Sequence, residues 1–390
     1  MPIPAQTARL LHQHRHVWSA LMLCATMALT LTGQAISATS TVQAWGTTSN
    51  GQANERVTLQ NDRGMRLSYI NYGATLVSVE VPDRLGKQQN IMLSLPDLGA
   101  YERTQRRFSA IMGRYAGRIG NAQFTLNGKV IQLEANARGV SLHGDPNGFD
   151  RRLWQRQDFS DATSIGSVFE MISPDGDQRF PGRLIVQVTY RLLRKSNEFR
   201  IEYQATTDQP TVINFTNHGY FNLAGAGSSG LASHRFQIMA DRYTETDAKR
   251  IPTGAILSVA GTALDFRVKS GVAQRLSSPS ELLGDPPGID HSLLFTQTTG
   301  KLARVAVIDE LHSGRRMEVR TTEPSVQFNT GNGFDGSEIG SEGIGYQKYA
   351  GFAFETQHLP DSPNHPHCPS TVLLPGQTYR SLTSFHFSAQ

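Results

Sequence analysis

The amino-acid sequence predicts an all-β protein, built as a large sandwich or a barrel. Three stretches, residues 66–83, 182–193 and 197–207, alternate apolar and polar side chains, as strands with one buried face do. Turn-forming sequences such as NDRG, LNGK and SPDGD separate such stretches, and the chain contains 36 glycines and 18 prolines. Helical periodicity of useful length is absent after the N-terminal segment. Many strands joined by turns are therefore expected.

The N-terminal segment has the pattern of a secretory signal. Arg9 and Arg15 precede the apolar run VWSALMLCATMALTL, and the small residues Ala35 and Ser37 follow it. The run is short for a helix that spans a bilayer. We therefore predict that residues 1–38 are a cleaved signal, that the protein is periplasmic, and that no membrane attachment remains after cleavage. A retained membrane anchor is the alternative.

The remainder of the chain is predicted to be one domain. Residues 39–54 are small and polar and are expected to form a loose lead-in, and residues 55–390 contain no internal repeat or low-complexity linker. Loss of the two signal arginines lowers the formal charge from +4 to +2. No basic run with interleaved aromatic residues is present, which argues against nucleic acid as a partner. Cys368 is the one cysteine left, so the fold is expected to rely on its core alone.

Four stretches combine charged residues with aromatics and glycines, as a polar site in a β protein would. They are residues 113–129, 141–155, 214–225 and 349–380. In the last stretch Glu355 ends an apolar strand, and a desolvated carboxyl group there could serve as a base. The alternative is a strand-end glutamate that pairs with a surface arginine.

His218 is the candidate in the third stretch, NFTNHGYFNLAG. Asn217 could orient its ring by hydrogen bonding, and Gly219 would let a ligand approach the backbone. The alternative is a satisfied core histidine.

Three other patterns are weaker. GNGFDG at residues 331–336 has a dinucleotide-binding spacing, but no helical pattern follows it. A group of possible metal ligands is interrupted by prolines and irregularly spaced, so no metal site is predicted there; it comprises His358, His365, His367 and Cys368. The absence of a G-x-S-x-G sequence argues against a serine nucleophile of the α/β-hydrolase type.

Six stretches, taken in order, resemble the signature segments of aldose 1-epimerases, the galactose mutarotases. They are GRYAGRIGNAQFTLNGK, LHGDPNGFDRRLW, NFTNHGYFNLAG, GIDHSLLF, VQFNTGNGFDG and GFAFETQHLPDSPN. The similarity extends from about residue 55 to residue 385. It implies a large antiparallel β-sandwich of the galactose mutarotase-like supersandwich type, with the sugar bound in a cleft across one sheet.

The resemblance also implies roles for individual residues. His218 corresponds to the family's general acid and Glu355 to its general base. The expected partners of the sugar's ring oxygen and hydroxyls are Arg118, His143, Asp290 and Gln327. Two positions depart from the pattern: Gly117 stands where asparagine is common, and Tyr349 stands where histidine is often expected. The preferred sugar is therefore left open.

The implied chemistry explains these residue types. A base removes the proton from the C1 hydroxyl while an acid protonates the ring oxygen; the opened sugar rotates about C1–C2 and closes on the other face. No metal or organic cofactor is required, and the expected partner is a small aldose such as D-glucose or D-galactose, bound by a monomer or homodimer. Charges on His218 or Arg118 are expected to keep Glu355 ionised, and the carboxylate to raise the pKa of His218.

Two alternative functions are left open. One is a non-catalytic carbohydrate-binding protein on the same fold. The other is a related epimerase or hydrolase that acts on another sugar. Hydrolysis would need a second carboxyl group about 5 to 9.5 Å from Glu355, for which Asp290 is the candidate. An epimerase of hexose 6-phosphates fits an exported protein poorly, because such metabolites stay in the cytoplasm.

Overall fold

The chain forms β-strands along most of the length described by a computed structural model, which covers residues 37–278, 280–297 and 300–390. The predicted signal therefore lies outside the described residues except for its last two positions. In chain order the strands are β1 (Thr39–Thr47), β2 (Ala53–Gln60), β3 (Arg66–Ile70), β4 (Thr75–Pro82), β5 (Gln88–Asn90), β6 (Ile111–Met112), β7 (Arg118–Ile119), β8 (Gln123–Leu126), β9 (Lys129–Gln132), β10 (Ser141–Leu142), β11 (Gln155–Ser160), β12 (Ser164–Ser173), β13 (Leu184–Leu193), β14 (Glu198–Thr207), β15 (Thr211–Val212), β16 (Thr216–Asn217), β17 (Tyr220–Phe221), β18 (His234–Ile238), β19 (Ala240–Thr246), β20 (Pro252–Ser258), β21 (Ser270–Gly271), β22 (Asp290–Phe295), β23 (Ala303–Glu310), β24 (Arg315–Thr321), β25 (Ser325–Asn329), β26 (Phe352–Gln357), β27 (Val372–Leu373) and β28 (Tyr379–Ala389).

Helices are few and short in these described ranges. They are α1 (Leu98–Arg103) and α2 (Val272–Leu276), with 3-10 turns at Gly120–Ala122, Phe149–Arg151, Asp177–Arg179, Glu281–Leu283 and Ser362–Asn364. The Asp97 side chain accepts a hydrogen bond from the Ala100 backbone N–H at 2.8 Å and so caps α1. None of the described helices has the length and apolar character needed to cross a bilayer.

Three large sheets carry the fold. Their strand orders are β1-β2-β3-β4-β5, then β11-β12-β13-β14-β28-β24-β23-β18-β21, and finally β17-β26-β25-β22-β19-β20. Every pairing between these strands is antiparallel. One continuous core contains apolar residues of all three, such as Val57, Val188 and Phe354. The predicted all-β sandwich is confirmed.

The central strands follow the predicted alternation. In β13 every second side chain is buried from Leu184 to Leu192, and in β14 from Phe199 to Ala205. The period of two places these apolar side chains on the core face and the intervening polar ones toward solvent. The long alternating runs in the sequence therefore correspond to half-buried strands of the nine-stranded sheet.

The expectation of a loose lead-in over residues 39–54 is wrong. Thr39–Thr47 forms β1 and pairs with β2, with Thr39 opposite Gln60 and Thr47 opposite Ala53. Just before it, the Ala38 backbone N–H donates to Asp62 Oδ1 at 2.7 Å. Side chains of β1 are mostly exposed, apart from Trp45, whose ring packs on Tyr101 with centroids 5.9 Å apart. Backbone hydrogen bonds to β2 hold the rest of the strand.

Candidate active site

Three neighbouring strands of the six-stranded sheet form one wall of a cleft. Glu355 on β26 lies opposite Gln327 on β25, which lies opposite Ser292 on β22. Asp290 is two residues before Ser292 and thus points to the same face. All six residues of β26 are buried, so Glu355 lies on an interior strand and does not pair at the surface. The sheet register alone therefore brings three of the predicted site residues to one face.

The other wall comes from short segments of a different part of the chain. Arg118 on β7 pairs with Leu142 on β10, and His143 follows directly. His218 lies between β16 and β17, where its backbone N–H donates to the Ala110 carbonyl at 3.0 Å. Since β17 pairs with β26, this position brings His218 beside Glu355.

These walls enclose a cavity of about 340 Å³ whose lining includes all six predicted site residues. The His218 Nε2 atom lies 3.6 Å from Glu355 Oε1, and the His143 and His218 ring centroids are 5.4 Å apart. Glu355 is 2% exposed. Within the described part of the chain, His218 Nδ1 and Glu355 Oε2 are buried without a hydrogen-bond partner. Two groups able to transfer protons therefore face each other with unused hydrogen-bonding capacity.

Asp290 is held by three other side chains in the same cleft. Its Oδ1 atom accepts a hydrogen bond from Gln327 Nε2 at 2.7 Å, and its Oδ2 atom lies 3.4 Å from Arg118 Nη2 and 3.6 Å from Arg250 Nη1. Burial opposes the charge, but these three partners outweigh it and lower the pKa of Asp290 to about 2. Asp290 is therefore a carboxylate that accepts hydrogen bonds, which makes it unsuited to be the proton donor of a hydrolase.

Comparison with known proteins identifies the family to which the chain belongs. A family model described as aldose 1-epimerase matches residues 55–386. The chain belongs to the aldose 1-epimerase family. Galactose mutarotase of Bos taurus is 40% identical over 334 residues, covering 86% of this chain and 94% of the relative. Aldose 1-epimerase of Escherichia coli (strain K12) is 38% identical over 350 residues, covering 87% and 97%.

Solved structures of family members have the same fold. Galactose 1-epimerase from Lactobacillus acidophilus NCFM is similar with a TM-score of 0.80 and 27% identity, over 90% of this chain and 99% of that one. An aldose epimerase homologue from C. elegans has a TM-score of 0.77 and 28% identity over the same shares. The predicted galactose mutarotase-like architecture is thus confirmed.

Burial controls the protonation of the two facing groups. Desolvation, reinforced by Asp290 and opposed by Arg118 and Arg107, holds the pKa of Glu355 well above its usual range. Desolvation, reinforced by the Arg107 charge, lowers the pKa of His218 to about 4. The expectation of an ionised Glu355 that raises the pKa of His218 is therefore wrong. Loss of hydration outweighs the nearby charges and favours a carboxylic acid beside a neutral imidazole.

Asn217 does not orient the His218 ring as expected, and Gly219 has a role in the backbone beside it. The Asn217 amide donates to the Ser109 carbonyl at 2.6 Å and to the Tyr190 hydroxyl at 3.2 Å, so it fixes the backbone of this segment. A side chain at Gly219 would place its Cβ 2.9 Å from Asn217 Oδ1. The glycine therefore keeps this backbone support intact.

The Gly117 departure has a structural explanation. Gly117 has a φ of +84°, and its N–H donates to His143 Nδ1 at 3.1 Å. Because Nδ1 accepts this hydrogen bond, the neutral ring carries its proton on Nε2. His143 is thereby fixed as a hydrogen-bond donor. Tyr349, the other position that departs from the family pattern, lies outside the cleft lining, and its hydroxyl donates to the Pro287 carbonyl.

The weaker patterns in the sequence have other roles. His358 pairs with Glu323, His365 Nε2 lies 3.2 Å from Asp361, and His367 Nε2 contacts the Gly254 carbonyl. His358 and His367 thus have hydrogen-bond partners within the protein, and His365 lies beside a carboxyl group. The GNGFDG segment forms the turn after β25, with no helix before β26.

One cluster in the described ranges has metal-ligand spacing, namely His143, His218 and Glu355, whose donor atoms lie within 4.8 Å of one another. His143 is unsuitable as a ligand, because its Nδ1 accepts the Gly117 N–H and the proton therefore lies on Nε2, so neither ring nitrogen has a free lone pair. The arrangement therefore fits proton transfer better than metal binding.

Four arginines of the cleft were missed by the sequence analysis. Arg106, Arg107, Arg138 and Arg250 line the cleft, although each lies outside the stretches selected as candidates. Arg114, inside a selected stretch, is fully buried and donates to carbonyls including Pro181 and Gly182. Its role is to hold the chain, and nothing in its local sequence distinguishes it from Arg118.

Proposed function

We propose that this chain interconverts the α and β anomers of aldohexoses such as D-glucose and D-galactose. The observation that carries the proposal is the buried His218–Glu355 pair, whose facing atoms are 3.6 Å apart in a polar cleft. A binding protein would need donors and acceptors for sugar hydroxyls but no desolvated acid beside a base. The pair therefore favours catalysis over binding alone.

Ring opening requires one proton to leave O1 and another to reach the ring oxygen. Glu355 takes the first and His218 donates the second, and these roles reverse on closure. The carboxylate–imidazolium form that starts this step contains the same number of protons as the acid–imidazole form favoured by burial. A single proton shift within the pair interconverts them. Arg118 supports the carboxylate and Asp290 the imidazolium.

The remaining cleft residues bind and orient the sugar. Asp290 accepts hydrogen bonds from hydroxyls, while Arg118 and the His143 Nε2–H donate them, and Gln327 holds Asp290 in place. Fixed donors and acceptors keep O1 and the ring oxygen within reach of the acid and base. This positioning supplies part of the rate enhancement.

Polarimetry on freshly dissolved α-D-galactose and α-D-glucose tests the proposal. We expect faster decay to the same final rotation, with nearly all of the acceleration lost in Glu355→Gln. Glu202→Gln, a change on the distant strand β14, is the matched control and should keep the wild-type rate. Sugar binding without any acceleration would contradict catalysis and favour a carbohydrate-binding protein.

Location and assembly form a second part of the proposal. We propose that residues 1–38 are removed during export and that the mature protein acts in the periplasm as a monomer or homodimer; the support is the charged, apolar and small-residue order of the N-terminus. Fractionation of cells that express the whole chain, followed by N-terminal sequencing, tests the cleavage. Light scattering on the purified protein gives its mass. An uncleaved protein in the membrane fraction would contradict the export proposal.

A further inference from the structure

The lining of the cleft carries more positive charge than a neutral sugar requires. It includes two carboxyl groups, Asp290 and Glu355, and five guanidinium groups from Arg106, Arg107, Arg118, Arg138 and Arg250. Even with both carboxyls ionised, three positive charges are in excess. A cleft with this balance attracts anions.

Three of these arginines already have carboxylate partners. Arg118 and Arg250 share Asp290, at 3.4 and 3.6 Å, and Arg107 pairs with Asp145 just outside the lining. Two carboxylates thus offset two of these three positive charges, and each of the three guanidiniums has an acidic side chain beside it.

Arg106 and Arg138 differ from these three. Neither guanidinium forms a salt bridge or a side-chain hydrogen bond with any residue that the structure describes, although both line the cleft. Arg106 is half-buried, whereas Arg138 is exposed and lies at the rim. Two donors of positive charge thus face the sugar site without a protein acceptor.

The position of Arg106 is fixed by its neighbours. Its backbone N–H donates to Thr104 Oγ1 at 3.0 Å, and two residues later Phe108 is buried against Phe334 with ring centroids 5.5 Å apart. A Cβ built at Gly333 would lie 2.4 Å from Arg106 Nη1. The guanidinium therefore occupies the space that a side chain at position 333 would fill, which places it against the cleft wall.

The wall under Arg106 is also rigid. Thr330 Oγ1 donates to Asn332 Oδ1 at 2.6 Å, and Asn332 Nδ2 donates to the Ile289 carbonyl at 2.6 Å. These bonds tie the turn that contains Gly333 to the residue just before β22. Arg106 thus lies against a fixed wall, and its guanidinium is free to offer the two parallel hydrogen bonds that a carboxylate accepts.

We infer that the cleft recognises an aldose that carries a carboxylate, a hexuronate, and that Arg106 binds this group with help from Arg138. The inference rests on the proposed function and specifies its substrate class. A phosphate ester would share the anionic chemistry, but a planar carboxylate matches a single guanidinium fork and occurs on sugars outside the cytoplasm. A neutral hexose would leave both guanidiniums with hydroxyl acceptors only.

Exchange NMR between the two anomeric protons at equilibrium tests the inference, since it measures catalysed anomerisation of charged and neutral sugars alike. The quantity compared is the kcat/KM for D-galacturonate divided by that for D-galactose, after subtraction of the uncatalysed rate. We expect a ratio above one, which falls about tenfold in Arg106→Gln and about threefold in Arg138→Gln. Arg63→Gln, the same change at an exposed position in the β2–β3 turn, should leave the ratio unaltered.

Each contrary result has a separate meaning. A ratio that is the same in Arg106→Gln as in the wild type, with galactose still anomerised rapidly, overturns the inference and leaves the proposed function intact. D-Galactose 6-phosphate turned over faster than galacturonate overturns the carboxylate in favour of a phosphate ester. Absence of acceleration with every sugar contradicts the proposed function itself. Melting temperatures of the variants within a few degrees of wild type verify that folding is not the cause.

Discussion

Two buried pairs of histidine and glutamate in the described part of the chain behave in opposite ways. In the cleft, His218 and Glu355 are 3.6 Å apart and each has a buried polar atom without a protein partner. Elsewhere, His358 Nδ1 lies 2.7 Å from Glu323 Oε2, and the Tyr379 hydroxyl donates to the other carboxylate oxygen at 2.9 Å. The second pair is satisfied by the protein, and the first is not.

The electrostatics of the two pairs differ for the same reason. Burial opposes charge at both, but in the second pair the close contact wins: the pKa of Glu323 is lowered and that of His358 is raised. In the cleft desolvation wins, so the pKa of Glu355 is raised and that of His218 is lowered. A satisfied ion pair holds its proton, whereas an unsatisfied neutral pair can exchange one with a substrate.

Glu355→Gln should lower the catalytic rate more than any other change proposed here. A rate close to wild type would remove the contrast between the two pairs. We expect kcat for galactose to fall by about 10²- to 10⁴-fold, because the amide cannot accept the O1 proton. The melting temperature at pH 8 should be equal or higher, because a buried carboxyl with a raised pKa loses stability as the pH rises above its unfolded value. Polarimetry and thermal unfolding measure the two effects. A strongly lowered melting temperature would mean that Glu355 is structural.

Glu323→Gln should act on stability instead of catalysis. We expect a loss of up to about 3 kcal/mol in the free energy of unfolding, at the low end for a broken buried pair because His358 can release its proton. The rate per folded molecule should stay within about twofold of wild type. Urea unfolding and polarimetry on one preparation provide the measurement, and a loss of rate as large as that of Glu355→Gln would remove the distinction between the pairs.

The destabilisation by Glu323→Gln should also depend on pH in a definite direction. The Glu323 contribution is present above its unfolded pKa of 4.5 and is lost as the pH falls; that of His358 is present below 6.5 and is lost as the pH rises through the raised folded value. The difference between wild type and variant should thus be greatest between about pH 4.5 and 6.5. A difference that is flat from pH 4 to 9 would argue against an ion pair.

Gly117→Ala sharpens the comparison through His143, the neighbour of the catalytic pair. We expect a loss of about 1 kcal/mol in stability, because φ is +84° and the new Cβ would lie 3.1 Å from Gln357 Nε2. The same shift would disturb the Gly117 N–H to His143 hydrogen bond and raise KM several-fold, as steady-state polarimetry can show. Gly128→Ala, also at positive φ but with open space around it, is the control for strain alone.

The smallest effect concerns the pH dependence of the rate. The His218–Glu355 pair must carry one transferable proton. Protonation of His218 while Glu355 is also protonated gives the pair two, so kcat/KM should fall, with an acid limb near pH 4. The alkaline limb reports loss of the proton from Glu355 and should lie well above pH 4.5. Initial rates, corrected for buffer catalysis, check both limbs. An acid limb near pH 6.5 would mean that His218 is not desolvated.

The sequence predicted what depends on local pattern and on family motifs. Strand alternation placed β13 and β14 correctly, and the motifs brought together the residues of the cleft. It could not supply partners that are distant in sequence: Glu323, 35 positions from His358, cannot be paired with it from spacing. The strand β1 was missed because its side chains are mostly exposed and backbone pairing with β2 holds most of it.

The position of the proton between Glu355 and His218 could not be predicted from the sequence either. Nearby charges can be read from residue types, but the cost of removing Glu355 and His218 from water depends on how many apolar and backbone atoms surround them. That quantity is fixed only when the sheet register and the short strands β7 and β10 close the cleft.

The contact before β1 links maturation of the chain to the hold on its outermost strand. Removal of residues 1–38 would take away the Ala38 amide, which donates to Asp62 Oδ1 at 2.7 Å. The exported form would then lack one hydrogen bond between this end of the chain and the turn after β2. Processing would in this way leave the start of β1 held by its pairing with β2, where Thr39 lies opposite Gln60.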